Sequence, residues 1–253
     1  MLILTKEDIE AVFSMEDAIE AVKEAFIIHS EGSVRVPLRI NIRSDKHNGN
    51  MLFMPAYCEQ KDVASLKIVS VYPDNKEKNL PSTPAQVLLI DPSTGIVLSI
   101  LDGTYITALR TGAASGAAFS VLAKSECKMG ALIGTGTQAA MQLEAMITSK
   151  KPQIVKVYSR NKERLNIFVE NMKTKFKSKD VEITASDSAD AAVEDADILI
   201  TATNSDKPLF SARSCKPGLT ISAVGSFTKQ MQELDSTVLK KASKIYYDDK
   251  EAM

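Results

Sequence analysis

The chain has 253 residues, 44% hydrophobic and 25% charged, which suits one large globular domain or two modest ones. Lys+Arg total 31 against Asp+Glu 32, so a formal net charge of −1 gives no support for a broad basic nucleic-acid surface or an acidic tail. No apolar run approaches a membrane span, and the first residues lack the basic and apolar regions of a signal peptide.

Cys58, Cys127 and Cys215 are odd in number, far apart and without CxxC spacing. They read as structural thiols in a reducing, cytoplasmic compartment. His29 and His47 are the only histidines, so no metal site and no Ser/His/Asp triad is expected.

The chain opens with helices. Thr5 is placed to cap a helix over 6–13, and Ser14-Met15-Glu16-Asp17 resembles a capping box with Asp17 in place of Glu or Gln. Ala18, Val22, Ala25, Phe26 and His29 recur at helical spacing, with Gly32 as the stop. This predicts His29 at the edge of the interior rather than as a ligand.

From 34 to about 101 the pattern becomes strands and turns. Residues 36–43 alternate; Asn48-Gly49-Asn50 is a turn before 51–54; 65–72 is a further strand; and 86–91 and 96–100 flank the turn Pro92-Ser93-Thr94-Gly95. Strands without intervening helices predict an α+β domain with a mainly antiparallel sheet. Residues 104–122 form a helix rich in small side chains, which bridges into a second domain.

After Cys127 strands and helices alternate. Strands are predicted at 129–133, 154–158, 181–184, 198–202, 219–224 and 244–247, with helices at 138–149 and 162–175. Strands with mostly helical crossovers predict a doubly wound parallel α/β sheet of the Rossmann kind. The boundary falls near 120, giving domains 1–120 and 121–253.

Gly134-Thr135-Gly136-Thr137-Gln138-Ala139 reads G-x-G-x-x-A between a strand and a helix. The first glycine allows the tight turn, the second lets backbone approach a pyrophosphate, and the small third residue lets helix meet strand. The helix N-terminus then presents N–H groups to the phosphates. At the end of the next strand, Ser159-Arg160-Asn161-Lys162 contains no acid for a ribose 2′-hydroxyl, and Arg160 can face a 2′-phosphate. NADP(H) is therefore expected over NAD(H), with Ser159, Arg160 and Asn161 at the ribose.

Three cations stand in otherwise apolar or small-residue surroundings: Arg39, Lys67 and Arg110. Beside a dinucleotide fold they suggest an anionic substrate such as an amino or imino acid, because a guanidinium binds carboxylate as a fork.

The stretches 66–75, 102–115, 134–139 and 223–226, with Gln232-Glu233-Leu234-Asp235, resemble the ornithine cyclodeaminase/mu-crystallin family over essentially the whole chain. The resemblance implies a homodimer with a substrate and dimerisation domain and a Rossmann domain. It implies Arg39, Lys67 and Arg110 as carboxylate and pocket residues, with Asn75 and Ser82 or Thr83 as secondary pocket residues. It adds Thr111, Thr203, Val224 and Ser226 to the cofactor-binding set.

One departure matters. Cyclodeaminases of the family carry a catalytic Asp two residues after the Val-Gly pair, where this sequence has Phe227. A phenyl ring accepts no proton, and Asp235 reads as a helix start. The Gly-Ser-Phe-Thr form is similar to the imino acid reductase branch, which implies reduction of Δ1-pyrroline-2-carboxylate to proline. Lys67 is then the general-acid candidate and Phe227 an apolar wall of the substrate pocket. The alternatives are ornithine cyclodeaminase, an alanine dehydrogenase-like enzyme, and a non-catalytic cofactor- and ligand-binding protein. Family members continue some tens of residues beyond the sixth Rossmann strand, so the expectation is either a first domain that lacks its return segment, with compromised activity, or one that closes without it.

Overall fold

A computed structural model of the chain describes residues 1–226 and 228–248. It divides into two compact units, Met1–Ala114 and Ser115–Met253.

The first unit begins with β1 (Leu2–Leu4), α1 (Lys6–Val12) and α2 (Met15–Ser30). Both helices start on complete capping boxes. Thr5 and Ser14 accept from the amides of Asp8 and Asp17, whose carboxylates accept from the amides of Thr5 and Ser14. The amide and hydroxyl of Thr5 hold the Asp8 carboxyl below its usual range, and the hydroxyl and amide of Ser14 do the same for Asp17. The apolar face of α2 is buried at Met15, Ala18 and Ile19. Ala25, Phe26 and His29 continue that face but are exposed, so the expected interior edge at His29 is not found. Helical period sets which residues share a face; burial also requires a surface opposite them.

There follow β2 (Val34–Arg35), β3 (Ile40–Ser44), β4 (Gly49–Cys58), β5 (Val63–Val71), β6 (Ala85–Ile90) and β7 (Val97–Asp102), then α3 (Gly103–Leu122), which carries the chain into the second unit. The sheet runs β1-β7-β6-β5-β4-β2, with β3 also paired to β4. Every pairing is antiparallel except that of β1 with β7. Two expectations are corrected. The chain opens on a strand rather than a helix, and the strand expected from residue 36 starts at Ile40. Pro37 has no N–H to give a ladder, which keeps 36–39 out of it.

The second unit contains β8 (Met129–Ile133), α4 (Ala139–Lys150), β9 (Ile154–Tyr158), α5 (Lys162–Lys175), β10 (Glu182–Ala185), α6 (Ala189–Val193), β11 (Ile198–Thr201), β12 (Thr220–Ala223) and α7 (Ser236–Lys241). Its strands are all parallel, in the order β10-β9-β8-β11-β12. Side chains alternate between two cores, as they must when both faces are covered. Leu132, Val155, Ile198 and Ile200 pack with Phe119, Leu143 and Met146 on one side. Ala131, Ile133 and Leu199 pack with Val193, Phe210 and Val238 on the other. Asp235 caps α7, its carboxylate accepting from Thr237 N at 2.5 Å. Residues 244–247, expected as a sixth strand, are not one. Ile245, Tyr246 and Tyr247 are 47–59% exposed and join no ladder. An apolar pattern proposes a strand, but only a paired edge makes one.

A buried acid fastens the amino end of this sheet. Asp197, immediately before β11, accepts from the amides of Lys128 and Met129 at 2.6 and 3.0 Å. Its other oxygen pairs with Lys124 and Lys216 at 2.7 and 2.5 Å. Burial pushes this carboxyl up, but the lysines and the two amides outweigh it and hold the group far below the usual carboxylate range. Among the described residues no helix is long and apolar enough to cross a membrane.

Candidate active site

The strand order of the second unit reverses between β8 and β11, and ligands of such sheets bind outside the carboxyl ends of the strands at that point. Residues 134–139 sit there. Gly134 has φ +112°, and a Cβ on it would lie 2.4 Å from Ala202 O and 3.0 Å from Thr203 Cγ2. Its amide donates to Tyr158 O at 2.8 Å. Only glycine meets these demands together. Gly136 is exposed, with nothing within 4 Å of a built Cβ. Thr135 and Thr137 flank this open point, and Thr137 is exposed. Ala139 is fully buried at the first turn of α4, where a larger side chain would lift the helix from the sheet. Gln138, at the N-cap, makes no side-chain cap, and its Oε1 is buried without a partner among the described residues. An open glycine at a helix N-terminus suits a phosphate-bearing dinucleotide.

At the end of β9, Ser159 is half-buried and Arg160 and Lys162 are exposed. Asn161 Oδ1 caps α5, accepting from Arg164 N at 2.9 Å, so its oxygen is committed to the helix. Beyond β11, Thr203 directs both its amide and its hydroxyl at the carboxylate of Glu233. Val224 donates its amide to Thr201 O at 2.9 Å, and Ser226 is exposed. Phe227 lies outside the described residues.

In the first unit, sheet register explains the environment of Lys67. Leu101 pairs with Val87, Val87 with Lys67, and Lys67 with Met54. Residues directly opposite share a face, so Lys67 interrupts an apolar row. Burial pushes its ammonium below the usual lysine range, and the positive charge of Arg110 pushes it further. Arg110 is exposed on α3. Arg39 is exposed just before β3; the β3–β4 ladder ends at Ile40 opposite Phe53, and one more step would set Arg39 opposite Met54. Register thus sets Lys67 and Arg39 along one row, and Arg110 on α3 is close enough for its charge to act on Lys67. Asn75 closes the β5–β6 connection, donating to Pro81 O at 2.8 Å, and Thr83 is exposed in the same loop. Thr111, on α3, donates its hydroxyl to Thr107 O at 2.6 Å.

The sequence reading gave Glu233 no role, although it stands in the 232–235 stretch that carries the resemblance. It is 2% exposed and accepts four hydrogen bonds. The sequence signals were that membership and an acidic residue within a stretch that otherwise reads as loop.

A parallel sheet wound on both sides, with a glycine turn at its reversal point, is a dinucleotide-binding fold of the Rossmann type. The ornithine cyclodeaminase/mu-crystallin family model matches residues 1–253, and the chain belongs to that family. An alanine dehydrogenase of Archaeoglobus fulgidus is 38% identical over 250 residues, covering 99% of this chain and 74% of the relative. A Δ1-pyrroline-2-carboxylate reductase of Bacillus cereus is 34% identical over 252 residues, covering 100% of this chain and 76% of the relative. The solved structure of the Thermococcus litoralis Δ1-pyrroline-2-carboxylate reductase, in complex with NADH and L-proline, superposes with a TM-score of 0.87 at 40% identity, over 96% of this chain and 74% of that one. The chain is an NAD(P)-dependent oxidoreductase of this family.

Proposed function

We propose that this enzyme reduces a cyclic ketimine acid, with Δ1-pyrroline-2-carboxylate to proline as the preferred reaction. The observation that carries this reading is Lys67, a lysine set in an apolar row with its proton affinity lowered by burial and by Arg110. An imine accepts hydride well only when its nitrogen is protonated. A lysine of lowered pKa is suited to hold a proton for that nitrogen. Arg39 and Arg110 are assigned to the substrate carboxylate, with Asn75 and Thr83 as neighbouring pocket residues. The names of the Bacillus cereus and Thermococcus litoralis relatives support the substrate class.

The cofactor supplies the hydride. Gly134, Thr135, Gly136, Thr137, Gln138 and Ala139 are assigned to its pyrophosphate, and Val224, Ser226 and Thr111 to the rest of its binding surface. Exposed Arg160 beside Ser159, with no acid at the end of β9, supports NADP(H) over NAD(H). The first domain is assigned to substrate binding and dimerisation. Leu38, Ile40 and Ile42 are 79, 59 and 48% exposed along the β3 edge, the kind of apolar edge a homodimer covers. The free cysteines support a cytoplasmic setting.

A second reading, reductive amination of pyruvate to alanine, is favoured by the Archaeoglobus relative. Consumption of NADPH and of NADH should be followed with Δ1-pyrroline-2-carboxylate, with pyruvate plus ammonium, and with ornithine alone as the lyase control. Efficient oxidation with the cyclic imine is expected. A higher kcat/KM with pyruvate and ammonium, or ammonia release from ornithine, would overturn the assignment.

A further inference from the structure

Glu233 is a carboxylate buried at the carboxyl edge of the parallel sheet, with no cation beside it among the described residues. One oxygen accepts from Thr203 N at 2.7 Å and from Thr203 Oγ1 at 2.8 Å. The other accepts from Thr201 Oγ1 at 3.0 Å and from Gly225 N at 2.8 Å. Thr203 Oγ1 also accepts from Ser205 N, which leaves its hydrogen for Glu233. An isolated buried carboxylate is costly, and four converging donors offset that cost only in this arrangement.

The donors come from the last residue of β11, from the turn that follows it and from the turn after β12. Those turns are in intimate contact: a Cβ on Gly225 would lie 2.0 Å from Thr203 O and 2.5 Å from Glu233 Oε1. The β11 turn in turn abuts the glycine motif, since Ala202 O and Thr203 Cγ2 limit Gly134. The backbone around Glu233 extends the fastening: its carbonyl accepts from Leu209 N, and Gln232 N donates to Ser205 O. One side chain therefore fastens the turns after β11 and β12 to each other, beside the glycine turn at the point where the strand order reverses.

We propose that Glu233 is a positioning residue for the nicotinamide half of the cofactor. This deepens the cofactor assignment above and rests on it. A dinucleotide crosses such a sheet at the reversal point. Its adenosine half lies toward β9, where Ser159 and Arg160 stand, and its other half toward β11 and β12. Glu233 ties together only the turns of that second half. It acts from behind them, through Thr203 and Gly225. Neutralising it should loosen the nicotinamide side and leave the adenosine side intact.

The test is Glu233→Gln, which keeps size and one acceptor oxygen but sets an NH2 against N–H and O–H donors. Dissociation constants would be measured for NADPH and NADH by fluorescence, and for 2′,5′-ADP and 5′-AMP by calorimetry, on the full chain. The expected result is a loss of at least tenfold for the dinucleotides with less than a twofold change for the adenosine fragments. Equal loss for both would mean Glu233 merely holds the domain together, and unchanged dinucleotide binding would mean it positions nothing; either overturns the proposal. Thr201→Val removes one donor to Glu233 on a strand where valine is well suited, and should show the same selectivity at two- to fivefold. If Glu233→Gln does not fold, an unselective or absent effect in Thr201→Val overturns the proposal instead. Wild-type protein that binds neither dinucleotide would overturn the cofactor assignment itself.

Discussion

Gly136→Ala separates what the glycine turn does for the fold from what it does for the ligand. A methyl group at this position meets no atom within 4 Å, and the backbone there is not in the left-handed region. The folded chain should accept it without strain. Alanine also restricts the unfolded chain, so stability should stay level or rise by about 0.4–1 kcal/mol. The pyrophosphate must approach this backbone closely, and the methyl stands in its way. Losing one charge-assisted hydrogen bond costs about 1.5–3 kcal/mol, a fall in affinity of roughly 10- to 150-fold. Gly134→Ala is the contrast: its Cβ would lie 2.4 Å from Ala202 O at φ +112°, so that variant should lose stability as well. Thermal unfolding without cofactor, beside fluorescence titration with NADPH and NADH, reads both quantities. Gly136→Ala with wild-type affinity for both dinucleotides would refute the placement of the phosphates.

Lys67→Met should reduce turnover by about 10²–10⁴-fold, the usual contribution of a positioned acid, with NADPH affinity unchanged; retained turnover would remove Lys67 from the chemistry. Because burial and Arg110 lower its pKa, Lys67 is protonated at low pH and loses its proton below the ordinary lysine range. The wild-type kcat/KM should therefore fall on the alkaline side at a pH below about 10.4, and a profile flat to that point would contradict the assignment. Arg160→Ala should weaken NADPH binding at least tenfold while leaving NADH within about threefold, by analogy with removal of a phosphate-pairing guanidinium; equal loss for both would refute the 2′-phosphate contact. Asp197→Asn should cost about 2–3 kcal/mol in urea unfolding, less than a fully buried pair because both lysines reach solvent. The folded pKa of Asp197 lies below its unfolded value, so its contribution is complete above about pH 4 and is lost as pH falls toward the folded value. The difference between wild type and variant should therefore shrink in acid.

What the amino-acid sequence determined by itself was local. Capping boxes span four residues, and both formed with Asp at the third helical position. The glycine turn is a short stretch whose flanking strand and helix are readable from hydrophobic period, and β8, β9, α4 and α5 formed around it. Lys67 stood out because a charge in an apolar strand is visible without any partner. What depended on distant pairing was decided by the tertiary structure. β1 exists because β7, almost a hundred residues later in the chain, presents an edge to it. Residues 244–247 have the composition of a strand yet pair with none. Ala25, Phe26 and His29 of α2 are exposed while Ile28 is buried, so an amphipathic face is a demand for cover rather than the cover itself. Glu233 reads as one more acid in a polar loop, yet its hydrogen-bond donors lie between 8 and 32 residues away. A buried carboxylate draws its role from the groups that converge on it, and only the folded chain brings those groups together.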